Sequence, residues 1–374
     1  MASMSDVMGL VFSNMHDSCI TELTEQRTMA SVPFGGRYRL IDFMLSNMVN
    51  SGVTDAGVIT KSNYQSLLDH LSSGQEWDLA RKTGGLKLLP PFGHAGSGIY
   101  RGRMEALAGV QEYIRRNDAD YVILADSNVI ANMDLKPFVE FHKKRQADIT
   151  VVYGRQYCTK EESKSKLVLF CDENDRVFDV LTGPEINGEI NVALNIYVMN
   201  KKFLQTLIVE AACRNQYSFE KDILQKKLRE FKVLAYKYQG YFAQIDSMKV
   251  FFKSNFDLLN SDIRTELFKV DSPIYTKVRD EPPAKYGIGA SVRNSLMADG
   301  CIIEGKVENS IIFRGVKIEK DSIIKNSIIM QGSVIKQGSD INYAVLDKTV
   351  HVSEGSRLTG TADYPVFIKK AAKV

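Results

Sequence analysis

The chain has 374 residues, with 48 Lys and Arg against 45 Asp and Glu, so its formal net charge is only +3. This length predicts one large or two medium domains, and the mixed charges, with no long basic run, argue against nucleic-acid binding. Five widely spaced cysteines without a CxxC pair argue against a disulfide framework or a zinc site and favour a reducing cytoplasm. No apolar stretch reaches about 18 residues, so no membrane span is expected.

Short apolar runs alternate with amphipathic stretches as far as about residue 258. Four runs have the Val- and Ile-rich composition of buried parallel strands, namely 7–12, 56–60, 121–125 and 149–153. Residues 40–51 and 104–116 are predicted helices between such strands. This alternation predicts a Rossmann-like α/β domain over 1–258, with ligands bound beyond the carboxyl ends of its strands.

A different pattern begins near residue 288. Ile312, Ile318 and Ile324 are spaced by six, and glycines or small polar residues punctuate the run. A six-residue period is typical of a parallel β-helix, in which each coil buries small aliphatic side chains in a shared core. We therefore predict a β-helix over 288–374, and a linker over 259–287, which contains three prolines.

Three motifs occur in a fixed order: VPFGGRYRLIDF at 32–43, DGCIIEGKVENS at 299–310 and NSIIM at 326–330. In this order they resemble the bacterial ADP-glucose pyrophosphorylase family (glucose-1-phosphate adenylyltransferase). The resemblance implies a nucleotidyltransferase fold, a C-terminal left-handed parallel β-helix and a tetrameric assembly. Such enzymes join a nucleoside triphosphate to a sugar phosphate. The chemistry requires a glycine-rich phosphate loop, carboxylates that hold magnesium, and a cation that holds the sugar phosphate.

The positions that carry this chemistry in the family hold other residues here. The phosphate loop, 14–19, has no glycine, and the family's lysine after that loop falls on Met29. The two metal-binding carboxylates fall on Asn128 and Gln244, and the lysine for the sugar phosphate falls on Gly183. Because amide oxygens are weaker ligands for a hard cation, we predict that this chain has no catalytic residue, metal or cofactor. Magnesium would be needed only by a catalytic partner.

An active nucleotidylyltransferase with altered substrate or metal ligands is the alternative, because Asp126 and Asp246 each lie two residues from a metal position. Two residues along a strand span about 6.6 Å. Magnesium needs its oxygens at about 2.1 Å, so these aspartates would bind it only after a loop rearrangement. A third hypothesis, a β-helix acyltransferase, would depend on His351, the one histidine of the coil region.

Some residues of the family's motifs are retained, and an anion or effector site is one interpretation of them: Arg39, Tyr100, Arg101 and Arg103. Surface or structural arginines are the other interpretation. The sequence as a whole predicts a cytoplasmic, non-catalytic regulatory subunit. The resemblance implies that it associates with the catalytic subunit in a hetero-oligomer, expected to be a tetramer, and a homo-oligomer is the alternative when the partner is absent. A vacated site that senses a sugar phosphate or nucleotide is compatible with this role.

Overall fold

A computed structural model of the protein describes residues 4–91 and 100–374. Its α/β part extends from the strand Val7–Phe12 to the helix Ser261–Leu267, and its β-helix begins at the strand Lys285–Tyr286. The predicted order of an α/β domain followed by a parallel β-helix is confirmed. The range 259–287, predicted as a linker, contains that last helix and the first β-helix strand. In the described parts of the chain, no helix is both long and apolar enough to cross a membrane.

The strands of the α/β part are β1 (Val7–Phe12), β2 (Pro33–Phe34), β3 (Tyr38–Arg39), β4 (Asp55–Ile59), β5 (Gly85–Leu89), β6 (Tyr121–Asp126), β7 (Val129–Ile130), β8 (Ile149–Cys158), β9 (Leu167–Cys171), β10 (Val177–Thr182), β11 (Gly188–Asn200), β12 (Val233–Tyr238) and β13 (Ala243–Gln244). Its α-helices are α1 (Thr21–Thr24), α2 (Leu40–Asn50), α3 (Gln65–Leu71), α4 (Arg103–Gly109), α5 (Gln111–Arg116), α6 (Lys136–Arg145), α7 (Lys160–Ser163), α8 (Lys201–Cys213), α9 (Met248–Asp257) and α10 (Ser261–Leu267). Short 3-10 turns lie at Asp17–Cys19, Met29–Ser31 and Gln75–Trp77, and a π-helix lies at Phe219–Gln225.

The helix predicted over 104–116 is interrupted. It forms α4 and α5, which meet at Val110, where the backbone leaves helical geometry with φ −113° and ψ 14°. Gly109 immediately precedes this residue. Glycine is among the poorest helix formers and valine is only moderate, so the local sequence favours a break at this point.

One mixed sheet organises the α/β part. Within the described residues its strand order is β10-β9-β11-β6-β1-β4-β5, with β8 joined to β11 and β12. Strands β6, β1, β4 and β5 are parallel, and β11 runs antiparallel to β6. From β1 the chain continues to β4 on one side and later reaches β6 on the other. The strand order therefore reverses between β1 and β6, where open α/β sheets bind their ligands. We call the space beyond the carboxyl ends of these two strands the crevice.

Apolar cores cover both faces of this sheet. In β1, the side chains of Met8, Leu10 and Phe12 belong to one core, and those of Val7 and Val11 belong to the other. Successive side chains of a strand point to opposite faces, so a continuous apolar run can fill two cores. This explains why the run at 7–12 lacks the alternation of a half-exposed strand.

The β-helix consists of three parallel sheets, each with five strands in the described residues. Its strands are β14 (Lys285–Tyr286), β15 (Ser291–Arg293), β16 (Leu296–Met297), β17 (Ile302–Ile303), β18 (Lys306–Glu308), β19 (Ile311–Ile312), β20 (Lys317–Ile318), β21 (Ile323–Lys325), β22 (Ile328–Ile329), β23 (Val334–Ile335), β24 (Asp340–Asn342), β25 (Ala344–Leu346), β26 (His351–Val352), β27 (Arg357–Thr359) and β28 (Val366–Ile368). Ile312, Ile318 and Ile324 lie on three different sheets and are buried in the shared core. Each step of six residues therefore takes the chain from one sheet to the next, along one side of the triangular coil.

The two parts of the chain share a core. Phe34, Phe43 and Phe251 of the α/β part pack in one apolar cluster with Ile311 and Ile328 of the β-helix. A buried ion pair supports this junction, since Arg27 Nη2 donates to Asp347 Oδ2 over 2.5 Å. The junction therefore positions side chains from both parts around the pocket described below.

Candidate functional site

The loop after β1 opens on the crevice and is held by its own side chains. Asn14 Nδ2 donates to Asp17 Oδ2 over 2.5 Å, and Asn14 Oδ1 accepts from the backbone N–H of Lys61 over 2.8 Å. Asp17 Oδ1 accepts from the backbone N–H of Met29 over 2.7 Å. Burial raises the pKa of Asp17 to about 6. A loop that uses a carboxylate in this way does not present a row of free N–H groups to a polyphosphate.

Met29 has an apolar role. It lies in the 3-10 turn Met29–Ser31, is 1% exposed and packs in the shared core with Phe34 and Phe251. A lysine at this position would place an ammonium group among these side chains. Met29 therefore helps to join the two parts of the chain.

The two metal positions hold amides that bind backbone groups. Asn128 is fully buried, and its Nδ2 donates to the carbonyl of Ile245 over 3.0 Å. Gln244 Nε2 donates to the carbonyl of Ala193, and its Oε1 accepts from Lys166 Nζ, both over 3.4 Å. The antiparallel pairing of β7 with β13 brings the two amides together, because Gln244 is opposite Val129.

These residues do not fit a magnesium ion. Magnesium requires close octahedral oxygen ligands and usually one or two carboxylates. Here Asn128 Oδ1 is a buried acceptor without a hydrogen-bond partner, and it is neutral. Across the described residues, no group of three or more His, Cys, Asp or Glu side chains could hold a metal ion.

Asp126, the proposed substitute ligand, is already fully engaged. Arg103 Nη1 donates to its Oδ1 over 2.7 Å and Nη2 to its Oδ2 over 3.1 Å, while His16 Nε2 lies 2.7 Å from Oδ2. Arg103 also pairs with Glu220 over 2.9 Å, and its guanidinium carbon lies 4.5 Å from the ring centroid of Phe12. We call Arg103, His16, Asp126 and Glu220 the crevice ion cluster.

The electrostatics of the crevice ion cluster favour its charged forms. Burial opposes the charge of Asp126, but the neighbouring Arg103 and His16 outweigh it and hold the pKa of this carboxyl well below its usual range. Burial likewise opposes the charge of His16, and the Asp126 carboxylate outweighs it and raises the pKa of His16 to about 10. The short contact of His16 Nε2 with the Asp126 carboxylate and this pKa both favour the imidazolium form at neutral pH.

A buried lysine that the sequence analysis did not identify lies in the sugar-phosphate part of the site. Lys166 is 4% exposed, and its Nζ lies 2.5 Å from Asp246 Oδ2. The backbone N–H of Gly183 donates to the carbonyl of Lys166 over 2.8 Å, so the two residues face each other next to the β9–β10 pair. A lysine is thus present on the chain segment next to Gly183, and its ammonium group is paired with Asp246. Only the pairing register reveals it.

Gly183 itself has a conformational role. Its φ is +65°, and a Cβ added there would lie 2.7 Å from the carbonyl oxygen of Lys164. An L-amino acid is strained at this φ, and the close carbonyl leaves no room for a side chain. A lysine at position 183 is therefore incompatible with this backbone.

The structure places the retained motif residues in different surroundings, and the binding of an anion by them stays a prediction. Arg101 is exposed and pairs with Glu105, while Arg103 is buried in the crevice ion cluster. Tyr100 is buried beneath the ammonium group of Lys61, 5.3 Å from its ring centroid. Arg39 donates to the carbonyl of Ser66 and lies at the junction with the β-helix. Arg39 lies in β3, far along the chain from the other three, while Tyr100, Arg101 and Arg103 lie on one short segment that leads into α4 and point to different neighbours.

Arg39 instead lines a pocket that combines cations from both parts of the chain. We call it the basic pocket, and its cations are Arg37, Arg39, Lys277, Arg279, Arg314 and Lys348. Among the described residues that line it, none is acidic. Its cavity volume is about 40 Å³. Since one water needs roughly 10–15 Å³ on this measure, the cavity has room for a single phosphate or sulfate group.

The basic pocket has incomplete charge compensation. Burial and the guanidinium groups of Arg39, Arg27 and Arg279 lower the pKa of Lys348 to about 7. Burial is also the main cause that lowers the pKa of Arg39 to about 10. Arg314 Nε, on a residue that lines the pocket, is a buried donor without a hydrogen-bond partner, and so is Nη1 of Arg27, which does not line the pocket. An anionic ligand would accept hydrogen bonds from unpaired donors and would neutralise part of the charge of the crowded cations.

Comparison with known proteins agrees with the two-part fold. Residues 20–257 match the nucleotidyl transferase family, and residues 282–363 match the GlmU-like C-terminal hexapeptide family.

The chain is similar over most of its length to proteins of bacterial glycogen synthesis. It is 34% identical over 367 residues to the glycogen biosynthesis protein GlgD of Bacillus subtilis, which covers 98% of this chain and 96% of that protein. It is 31% identical over 330 residues to the glucose-1-phosphate adenylyltransferase of Clostridium perfringens (strain 13), covering 87% and 84% of the two chains. The corresponding enzyme of Pseudothermotoga lettingae is 32% identical over 327 residues, covering 86% and 77%. The chain therefore belongs to the nucleotidyl transferase family and, within it, to the GlgD glycogen biosynthesis proteins related to glucose-1-phosphate adenylyltransferases.

Proposed function

We propose that this chain is a non-catalytic regulatory subunit of glucose-1-phosphate adenylyltransferase, acting in the cytoplasm by association with the catalytic subunit. The observation that carries the proposal is the state of the two metal positions. Asn128 and Gln244 are buried amides that bind the backbone, where the chemistry requires carboxylates that bind magnesium. Without them, the charge of a reacting triphosphate is not neutralised.

The losses at the other positions support the same function independently. Met29 is part of the shared core, and Gly183 has a backbone conformation that excludes a lysine. The sheet, the β-helix and the junction between them are nevertheless complete. A scaffold preserved without its chemistry is suited to a role in assembly.

The basic pocket supports a regulatory input. It is lined by six cationic side chains, one of which, Arg314, has a buried Nε donor without a hydrogen-bond partner, and it lies between the α/β part and the β-helix. We propose that it binds the phosphate or sulfate group of an effector, whose remaining atoms lie outside the small cavity. Binding there would stabilise one arrangement of the two parts, and so would bias the assembly with the partner.

The test is an assay of the isolated chain and of the mixture. We expect purified protein to form no ADP-glucose from ATP and glucose 1-phosphate with magnesium. When it is co-expressed with the catalytic subunit, we expect a hetero-oligomer by light scattering and a changed rate or effector response. A matched variant, Arg314→Gln, should associate normally and lose the effector response. Magnesium-dependent turnover by the isolated chain, or a failure to associate with the catalytic subunit, would contradict the proposal.

An active nucleotidylyltransferase with altered ligands gains no support from the geometry. The carboxylate oxygens of Asp126 are bound by Arg103 and His16, and Asp246 is bound by Lys166 and Ser165. A metal ion would have to displace these cations before it could reach either aspartate.

A further inference from the structure

The crevice ion cluster is electrically balanced. Arg103 and His16 provide two positive charges, and Asp126 and Glu220 provide two negative charges. Arg103 and Asp126 have side chains only 3% and 0% exposed, so water does little to screen this pair, while His16 and Glu220 are 24% and 23% exposed. A balanced cluster has no net charge with which to attract a divalent cation or a triphosphate.

The coordination of Asp126 leaves no open face for a metal. A carboxylate offers about four lone-pair positions, and donors on Arg103 and His16 occupy three of them here. Any ion at the remaining position would lie next to a guanidinium and an imidazolium. Like charges at such distances repel strongly in a buried site.

The sugar-phosphate part of the crevice is closed in the same manner. Lys166 and Asp246 form a contact with side chains 3% and 8% exposed, and Ser165 Oγ donates to the same carboxylate oxygen over 2.5 Å. A phosphate that approached Lys166 would have to compete with this carboxylate. Both parts of the crevice therefore contain cations that the chain itself has already neutralised.

We propose that the crevice has its own replacement for the magnesium ion. Arg103 and His16 place their positive charge on Asp126, two residues from the metal position at Asn128, so the crevice accepts no divalent cation. This goes beyond the proposed regulatory function, because it concerns the crevice and not the partner. It also implies that restoring a carboxylate at position 128 does not by itself restore a metal site.

The experiment uses Mn²⁺ alone as the probe, with the free ion measured by electron paramagnetic resonance. Across the described residues no group of three or more His, Cys, Asp or Glu side chains could hold the ion, so binding that appears only in the crevice variants reports the crevice. We expect no specific Mn²⁺ binding by the wild-type protein or by Asn128→Asp. The double variant Asn128→Asp/Arg103→Met should bind Mn²⁺ at least about tenfold more tightly than the detection limit that applies to Asn128→Asp, since the guanidinium that neutralises Asp126 has been removed.

The matched control is Asn128→Asp/Arg101→Met. Arg101 is 55% exposed in its side chain and bonds Glu105 and Asn215, neither of which belongs to the crevice ion cluster, so this variant should bind like Asn128→Asp. Circular dichroism checks that each variant is folded. If loss of Arg103 prevents folding, His16→Ala in the Asn128→Asp background removes the other cation from a side chain that is 24% exposed, and should also tighten binding.

Specific Mn²⁺ binding by the wild-type protein, equal binding by Asn128→Asp and the double variant, or no gain on removal of either cation would each overturn the proposal. None of these measurements uses substrate or partner. Metal binding by the wild-type chain would therefore overturn the replacement of magnesium, while the proposed function would still be decided by its own activity and mixing assays.

Discussion

Lys348 provides a direct test of the basic pocket through pH. Its pKa is lowered from 10.5 to about 7 by burial and by the guanidinium groups of Arg39, Arg27 and Arg279. If an anion binds only when Lys348 is protonated, then above pH 7 part of its binding free energy is spent on protonating this lysine. With a pKa of 7, the protonated fraction falls about tenfold between pH 6 and pH 8. Affinity should therefore fall about tenfold, or about 1.4 kcal/mol.

Sulfate is the appropriate probe, because it does not titrate in this range as phosphate does. Isothermal titration calorimetry at constant ionic strength should show weaker sulfate binding at pH 8 than at pH 6, with proton uptake at pH 8. Lys348→Met should bind more weakly at pH 6 and should lose most of the pH dependence. Lys320→Met, an exposed lysine of the β-helix, should behave as wild type.

The effect of pH on folding stability has the opposite sign to its effect on sulfate affinity. A loss of sulfate affinity at high pH would therefore not be explained by unfolding. The pKa of Lys348 is lower in the folded chain than in the unfolded chain, so the unfolded state binds more protons between pH 7 and 10.5. The contribution of this residue to the free energy of unfolding then rises with pH in that window, while sulfate affinity falls. Equal sulfate affinity at pH 6 and 8, or a pH dependence unchanged in Lys348→Met, would refute the reasoning.

Three further predictions concern stability, each measured by thermal and urea unfolding. Gly183→Lys should destabilise the protein by at least about 1–2 kcal/mol, because the φ of this residue is +65° and a backbone carbonyl lies 2.7 Å from the new Cβ. The control is Gly109→Ala in an open helical position, which should be neutral or stabilising. Arg27→Met should cost about 3–5 kcal/mol, because it leaves Asp347 buried without its partner; a change below 1 kcal/mol would show that the ion pair does not secure the junction. Lys166→Met should cost a similar amount, about 3–5 kcal/mol, and replacing its aspartate partner by asparagine in the same chain should recover most of the loss.

The sequence predicted the fold because the patterns that determine it are local. The Val- and Ile-rich run at 7–12 became β1, and its lack of alternation reflected burial on both faces. Ile312, Ile318 and Ile324 indicated the coil of the β-helix before any contact was known. The break at Val110 was not predicted. The apolar spacing of 104–116 continues through this residue, and a single weak helix former does not interrupt that pattern.

The sequence alone also identified the substituted positions Met29, Asn128, Gly183 and Gln244, since motif spacing fixes residue types. The sequence could not determine which side chains occupy the crevice instead. That Arg103 crosses to Asp126 depends on how α4 packs beside β6, and that Lys166 faces Gly183 depends on strand register.

The grouping of the arginines was likewise decided only by the tertiary structure. Arg39, Arg101 and Arg103 belong to motifs that suggested one site, but their neighbours come from segments distant in the chain. Arg39 lies beside Lys348, more than three hundred residues later, and the two belong to one pocket because the β-helix docks on the α/β part. The sequence directly gives the residue types and the spacing of apolar residues. The pairing of charges depends on packing between segments distant in the chain, and no local sequence pattern predicts it.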